Sequence, residues 1–129
     1  MSKTIIATNS APLPIGPYSQ GIRLGNLVFT AGQLGVDPTT QQVVAGGITE
    51  QTVRTFENLK AILAAAGTDL ARVVKTTVFL KDLKDFTAMN AVYDTYLGIA
   101  GVPSPARTTV EVARLPKDVL VEIQMIAEV

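Results

Sequence analysis

The chain contains no histidine and no cysteine. The first absence removes the usual general base, the usual metal ligand and the Ser-His-Asp arrangement. The second excludes disulfides, thiolate catalysis and cysteine-ligated zinc. Any chemistry must therefore run on carboxylates, Arg, Lys, Tyr, hydroxyls and backbone amides, with no metal site expected. Charge of one sign is lacking too: 11 basic residues match 11 acidic ones, with no block of like charge. A nucleic-acid-binding protein should show a basic face, so nucleic acid is not an expected partner. No apolar run is long enough to span a membrane, and the opening MSKTIIATNSAP lacks the apolar core of a signal peptide. A cytoplasmic protein is expected.

What is present is apolar material. The 129 residues are 47% hydrophobic, which fits a single domain over 1–129 with a real core. KTIIAT reads as a strand and NSAPLPIGPYSQG as a Pro/Gly loop of fixed path. GIRL and LVFTA read as a hairpin around Gly25-Asn26. VDPTTQQVV is a turn with a short return strand at Val43 and Val44, broken by Gly46 and Gly47. ITEQTVRTFENLKAILAAAG predicts a helix with Thr49 as cap and Gly67 as stop; Val53, Phe56, Leu59, Ile62, Leu63 and Ala66 recur on one side. RVVKTTVFLKD predicts a strand with Val74, Thr76, Val78 and Leu80 on one face. DFTAMNAVYDTYLG predicts a second helix capped by Asp85, with Phe86, Met89, Val92, Tyr93, Tyr96 and Leu97 as its core stripe. This order predicts an α+β sandwich: one mixed β-sheet with two helices packed on one face.

The stretch PARTTVEVARLPKDVLVEIQM reads as two strands joined by ARLPKD. Paired as a hairpin, Thr108 opposes Ile123 and Val110 opposes Val121, a coherent apolar face for the helices. The other face then gathers Arg107, Thr109 and Glu122, with Arg107 and Glu122 diagonal neighbours about 7–8 Å apart at the backbone. Arg, Thr, Glu and Gln together fit a solvated face with a weak ion pair. Leu120 and Ile126 lie on that same face, and a half-apolar face left bare by the helices fits an interface equally.

IGPYSQG (15–21), TAGQ (30–33), KTTVFLKDLKDF (75–86) and PARTTVEVARLPKDVLVEIQMIA (105–127) closely resemble the reactive-intermediate deaminase family, the imine/enamine deaminases. The resemblance implies a chorismate-mutase-like fold and a homotrimer with active sites between subunits. It implies hydrolysis of 2-iminobutanoate, 2-iminopropanoate and enamines such as 2-aminoacrylate to 2-oxo acids and ammonia. Such imines leave pyridoxal-phosphate-dependent dehydratases, so the implied role is protection of pyridoxal-phosphate enzymes. No cofactor is implied. Position by position, Arg107 resembles the clamp on the substrate carboxylate and Glu122 the residue that activates water. Tyr18 resembles the tyrosine lining the cleft, and Gly32 the glycine whose amide contacts ligand. Asn90 matches a polar position near the pocket, and Thr109 stands where some members have cysteine. Ala31 replaces the serine of many relatives. Read without the resemblance, Tyr18 could pack on its loop, Gly32 relieve a bend, Asn90 bond backbone and Thr109 be an ordinary strand residue. The same fold could also serve a non-catalytic carboxylate binder or regulator, or a ribonuclease or translation inhibitor.

Overall fold

Alternation along each strand decides which side is covered, and the computed structural model, which describes residues 2–129, shows the result. Strands β1 (Thr4–Ile6), β2 (Gly21–Leu24), β3 (Leu27–Thr30), β4 (Gln33–Leu34), β5 (Val73–Leu80), β6 (Ala106–Glu111) and β7 (Val121–Glu128) form one mixed sheet. The order is β1-β2-β3-β7-β5-β6, with β4 also against β7. Helices α1 (Ile48–Ala65) and α2 (Phe86–Leu97) cover one face. Phe56, Leu59, Ile62 and Leu63 of α1 and Met89, Val92, Tyr93 and Leu97 of α2 meet Val78, Leu80, Val121, Ile123 and Met125 of the sheet. This is the α+β architecture expected.

Local details differ where backbone chemistry overrides pattern. The cap of α1 is Gly47, whose N–H donates to the Glu50 carboxylate at 2.8 Å; Thr49 lies inside the helix. Asp85 holds the N-cap position of α2 without a side-chain cap bond. The preceding 3₁₀ turn, Leu83–Asp85, is capped instead by Asp82, which accepts from the Lys84 N–H at 2.9 Å. A register shift between Val73 and Lys75 turns Val73 to the core and leaves Val74 exposed. Val53 is exposed on α1, while the polar Gln51, Thr52, Thr55 and Asn58 are buried there.

The largest correction concerns β6 and β7, which do not form a hairpin. Strand β5 lies between them, parallel to β6 and antiparallel to β7. The physical reason is the crossover through α2. A helix returns the chain to the starting end of the sheet, so the strand after it runs parallel to the strand before it. In the parallel register Thr76 stands beside Arg107 and Val78 beside Thr109. Both therefore face the helices. Glu122 stands opposite Phe79 and between the core residues Val121 and Ile123, so it faces away from them. Arg107 and Thr109 thus lie on one side of the sheet and Glu122 on the other.

The helix-free face is half apolar. Ile5, Ile22, Phe29 and Ile126 align across four neighbouring strands in register, ending at Lys75. Ile5, Phe29 and Val110 on this face are exposed.

Candidate active site

Two clefts carry the chemistry-bearing residues. In the first, of about 400 Å³, Arg107 is lined by Asn90, Tyr93 and Asp94 of α2 and by Ser104 and Pro105 before β6. The half-buried guanidinium donates from Nη1 to Asn90 Oδ1 at 2.6 Å. It lies over the rings of Tyr93 and Phe86. Among the described residues no carboxylate pairs with it. Thr109 lies two residues along on the same side of β6, and its Oγ1 is buried with no partner among the described residues. This pocket therefore offers an anion a cation already oriented and unspent.

The second cleft, of about 540 Å³, holds Glu122, Gly32, Tyr18 and Lys117 among apolar walls that include Leu13, Ile15, Leu34 and Pro116. Gly32 is pressed against the Glu122 carboxylate. A Cβ there would collide with Glu122 Oε2 and lie 2.8 Å from its Cδ. The close approach arises because pairing with β7 steps by one residue between Phe29↔Ile126 and Gln33↔Ile123, so one of residues 30–32 bulges. Burial alone pushes the Glu122 carboxyl above its ordinary range; no neighbouring charge or hydrogen bond offsets it. Tyr18 is half exposed at the mouth, its hydroxyl accepting a long 3.4 Å bond from the Ile15 N–H.

Polar residues behind this cleft hold its walls. The buried Gln20 side chain accepts from the Thr8 N–H and donates to the carbonyls of Thr8, Ala11 and Pro12, tying down the Pro-rich loop. Asn58 donates to the carbonyls of Leu34 and Val36, and Gln51 accepts from the Leu120 N–H. The rim is strained as well. Gln41 and Lys117 both line the cleft with positive φ. Asp118, next in chain, also has positive φ, and Lys81 holds its carboxylate at 3.0 Å. Lys117 and Asp118 read from sequence as plain turn residues; lacking glycine, they carry no signal of this backbone. The expected group of six is thus split, with Arg107, Asn90 and Thr109 on one side and Glu122, Gly32 and Tyr18 on the other.

The comparisons with known proteins agree over almost the whole chain. A family model described as endoribonuclease L-PSP matches residues 8–129. A RutC family protein of Pyrococcus abyssi is 57% identical over 127 residues, spanning 98% of each chain. The 2-iminobutanoate/2-iminopropanoate deaminase of Salmonella typhimurium is 53% identical over 127 residues, again 98% of each. The crystal structure of Escherichia coli TdcF with bound serine has 45% identity and a TM-score of 0.92, with 98% of both chains covered. The chain belongs to the endoribonuclease L-PSP family, the group that holds the imine deaminases its motifs resemble.

Proposed function

We propose that this single-domain protein is a 2-iminobutanoate/2-iminopropanoate deaminase, hydrolysing reactive 2-imino acids to 2-oxo acids and ammonia. The observation that carries the reading is an unspent guanidinium and an unspent carboxylate, each in its own cleft. A 2-imino acid needs both: a cation for its carboxylate and a base for the attacking water. Identity of 53% with the Salmonella deaminase supports the reaction class. The serine in the Escherichia coli structure supports a small 2-substituted carboxylate as ligand.

Because Arg107 and Glu122 face opposite sides of one sheet, a single chain does not bring them to one substrate. The apolar helix-free face supports assembly, and a homotrimer pairs the Arg107 pocket of one copy with the Glu122 cleft of the next. In that site Arg107 holds the substrate carboxylate by a charge-assisted fork. Glu122 takes a proton from water as its oxygen attacks the C=N carbon. The proton returns to nitrogen and gives a carbinolamine; its hydroxyl proton then passes through Glu122 to the same nitrogen as the C=O bond forms and the C–N bond breaks, and ammonia leaves a 2-oxo acid. A carboxylate held above its ordinary pKa is a stronger base toward water, and its conjugate acid is still acidic enough to protonate the far more basic amine nitrogen. Tyr18 and the Gly32 amide border the reacting atoms, and Thr109 stands beside the clamp on the same face of β6. In the cell the protein clears imines released by pyridoxal-phosphate-dependent dehydratases in the cytoplasm.

The test adds the protein to a threonine dehydratase reaction and follows 2-oxobutanoate. Formation faster than spontaneous imine hydrolysis supports the reading; an unchanged rate, with 2-oxobutanoate still bound, would leave a carboxylate binder of the same fold. RNA cleavage by the purified protein in place of imine hydrolysis would favour the nuclease activity in the family's description.

A further inference from the structure

Arg107 is held by more than its bond to Asn90. Its guanidinium carbon lies 4.5 Å from the centroid of the Tyr93 ring and 5.4 Å from that of Phe86. An aromatic face attracts a cation within about 6 Å of its centroid. The two rings are held differently. Phe86 opens α2 and is 37% exposed. Tyr93 is buried, and its hydroxyl lies 2.8 Å from Thr76 Oγ1. Thr76 is fully buried and is also the cross-strand neighbour of Arg107 in the parallel β5–β6 pairing. One residue therefore references both ends of the arginine: its backbone through the sheet, and its charged head through the Tyr93 ring. Phenylalanine would fill the same core space without a polar group to satisfy, whereas the phenol ties the ring to Thr76.

We propose that Tyr93 is a positioning residue for carboxylate recognition, and that Thr76 acts through it. This rests on the reading of Arg107 as the carboxylate clamp. A planar fork binds a carboxylate with two bonds only when its plane is aimed. Asn90 takes Nη1 and the Tyr93 ring backs the guanidinium, which leaves the other N–H groups for the ligand.

The experiment titrates the assembled protein with 2-oxobutanoate by calorimetry and measures kcat and KM for 2-iminobutanoate. Melting temperatures are recorded alongside. Tyr93→Leu removes the ring and is expected to raise both the Kd and KM ~10-fold, with kcat changing less. Tyr93→Phe and Thr76→Val each cut the same hydroxyl contact and are expected to weaken binding ~3-fold. The double variant should be no worse than either single one, because both delete one interaction. Unchanged affinity in folded Tyr93→Leu overturns the proposal, as do additive losses in the double variant. If Tyr93→Leu does not fold, the Phe and Val pair decides alone. A wild-type protein that fails to bind 2-oxobutanoate, or an Arg107→Ala variant that binds it equally well, overturns the clamp reading and this proposal with it.

Discussion

The Glu122 cleft and the Arg107 pocket are built by different means. Glu122 is shaped by backbone: a bulge over 30–32, a glycine pressed against the carboxylate, and left-handed residues at the rim. Arg107 is shaped by side chains: an amide on Nη1, an aromatic face, and a threonine behind the ring. The first arrangement leaves a charge without partners, where burial raises its proton affinity. The second leaves a charge with neutral partners that aim it and do not neutralise it. A base that must exchange protons suits the first, and an anion clamp that must never lose its charge suits the second.

The comparison breaks most severely at the clamp. Arg107→Ala removes the guanidinium that pairs with the substrate carboxylate in this reading. Loss of such a charge-assisted fork should lower kcat/KM for 2-iminobutanoate by ~10²–10³-fold, through KM and kcat together. Asn90 and Tyr93 are neutral and offer no substitute. Activity within threefold of wild type in this variant would sink the clamp reading.

Glu122→Gln should lower kcat by ~10²-fold or more while 2-oxobutanoate still binds, because only proton transfer is lost. The two variants together test how the clefts meet. In the proposed homotrimer, random co-assembly of equal amounts leaves one site with both residues intact in each mixed trimer, about a quarter of all sites, if each site joins two copies. Recovered activity in the mixture supports a shared site. No recovery, in mixed assemblies verified by native mass spectrometry, rules it out.

Residue type was legible in the sequence before residue position was. Arg107 and Glu122 stand out because charge is rare on strands that also feed a core. The face of Glu122 follows from alternation alone, since Val121, Ile123 and Met125 are buried around it. The face of Arg107 does not. Its partner, Thr76, lies across a helix crossover, and pairing it with the nearest strand in sequence gave the wrong side. Gln20, Gln51 and Asn58 were illegible for another reason. Polar side chains read as exposed until their backbone partners, far along the chain, are known. Gly32 is half legible: its type suggests a bend, but nothing in the sequence sets the carboxylate against it.

Gly32→Ala attacks the backbone-built cleft alone. The added methyl would meet Oε2, Cδ and Cγ of Glu122, and the carboxylate is the freer of the two to move. Its displacement should cost ~10-fold in kcat, with binding of 2-oxobutanoate affected less, since the clamp lies on the other face. A matching loss in Kd would mean that the clefts are not independent in the way their construction implies.

The smallest effect is on stability, and its sign runs against activity. The Glu122 carboxyl is held above its ordinary range by burial. A raised acid pKa means that the folded chain binds this proton more tightly than the unfolded chain does. Below the unfolded value both states are protonated and Glu122 costs nothing. As pH rises through the folded value the native state must ionise a group that the unfolded chain ionised more easily, and stability falls. At neutral pH the ionised side chain is therefore a burden on the fold. Glu122→Gln should melt at a higher temperature than wild type at pH 7, and the gap should close as pH drops below the usual carboxylate range. The activity of wild type should run the opposite way, rising with pH as the base ionises, along a limb displaced above that range. A lower melting temperature for Glu122→Gln at pH 7 would mean that the carboxylate has a stabilising partner in the assembled protein, and that the cleft is not the strained half of the comparison.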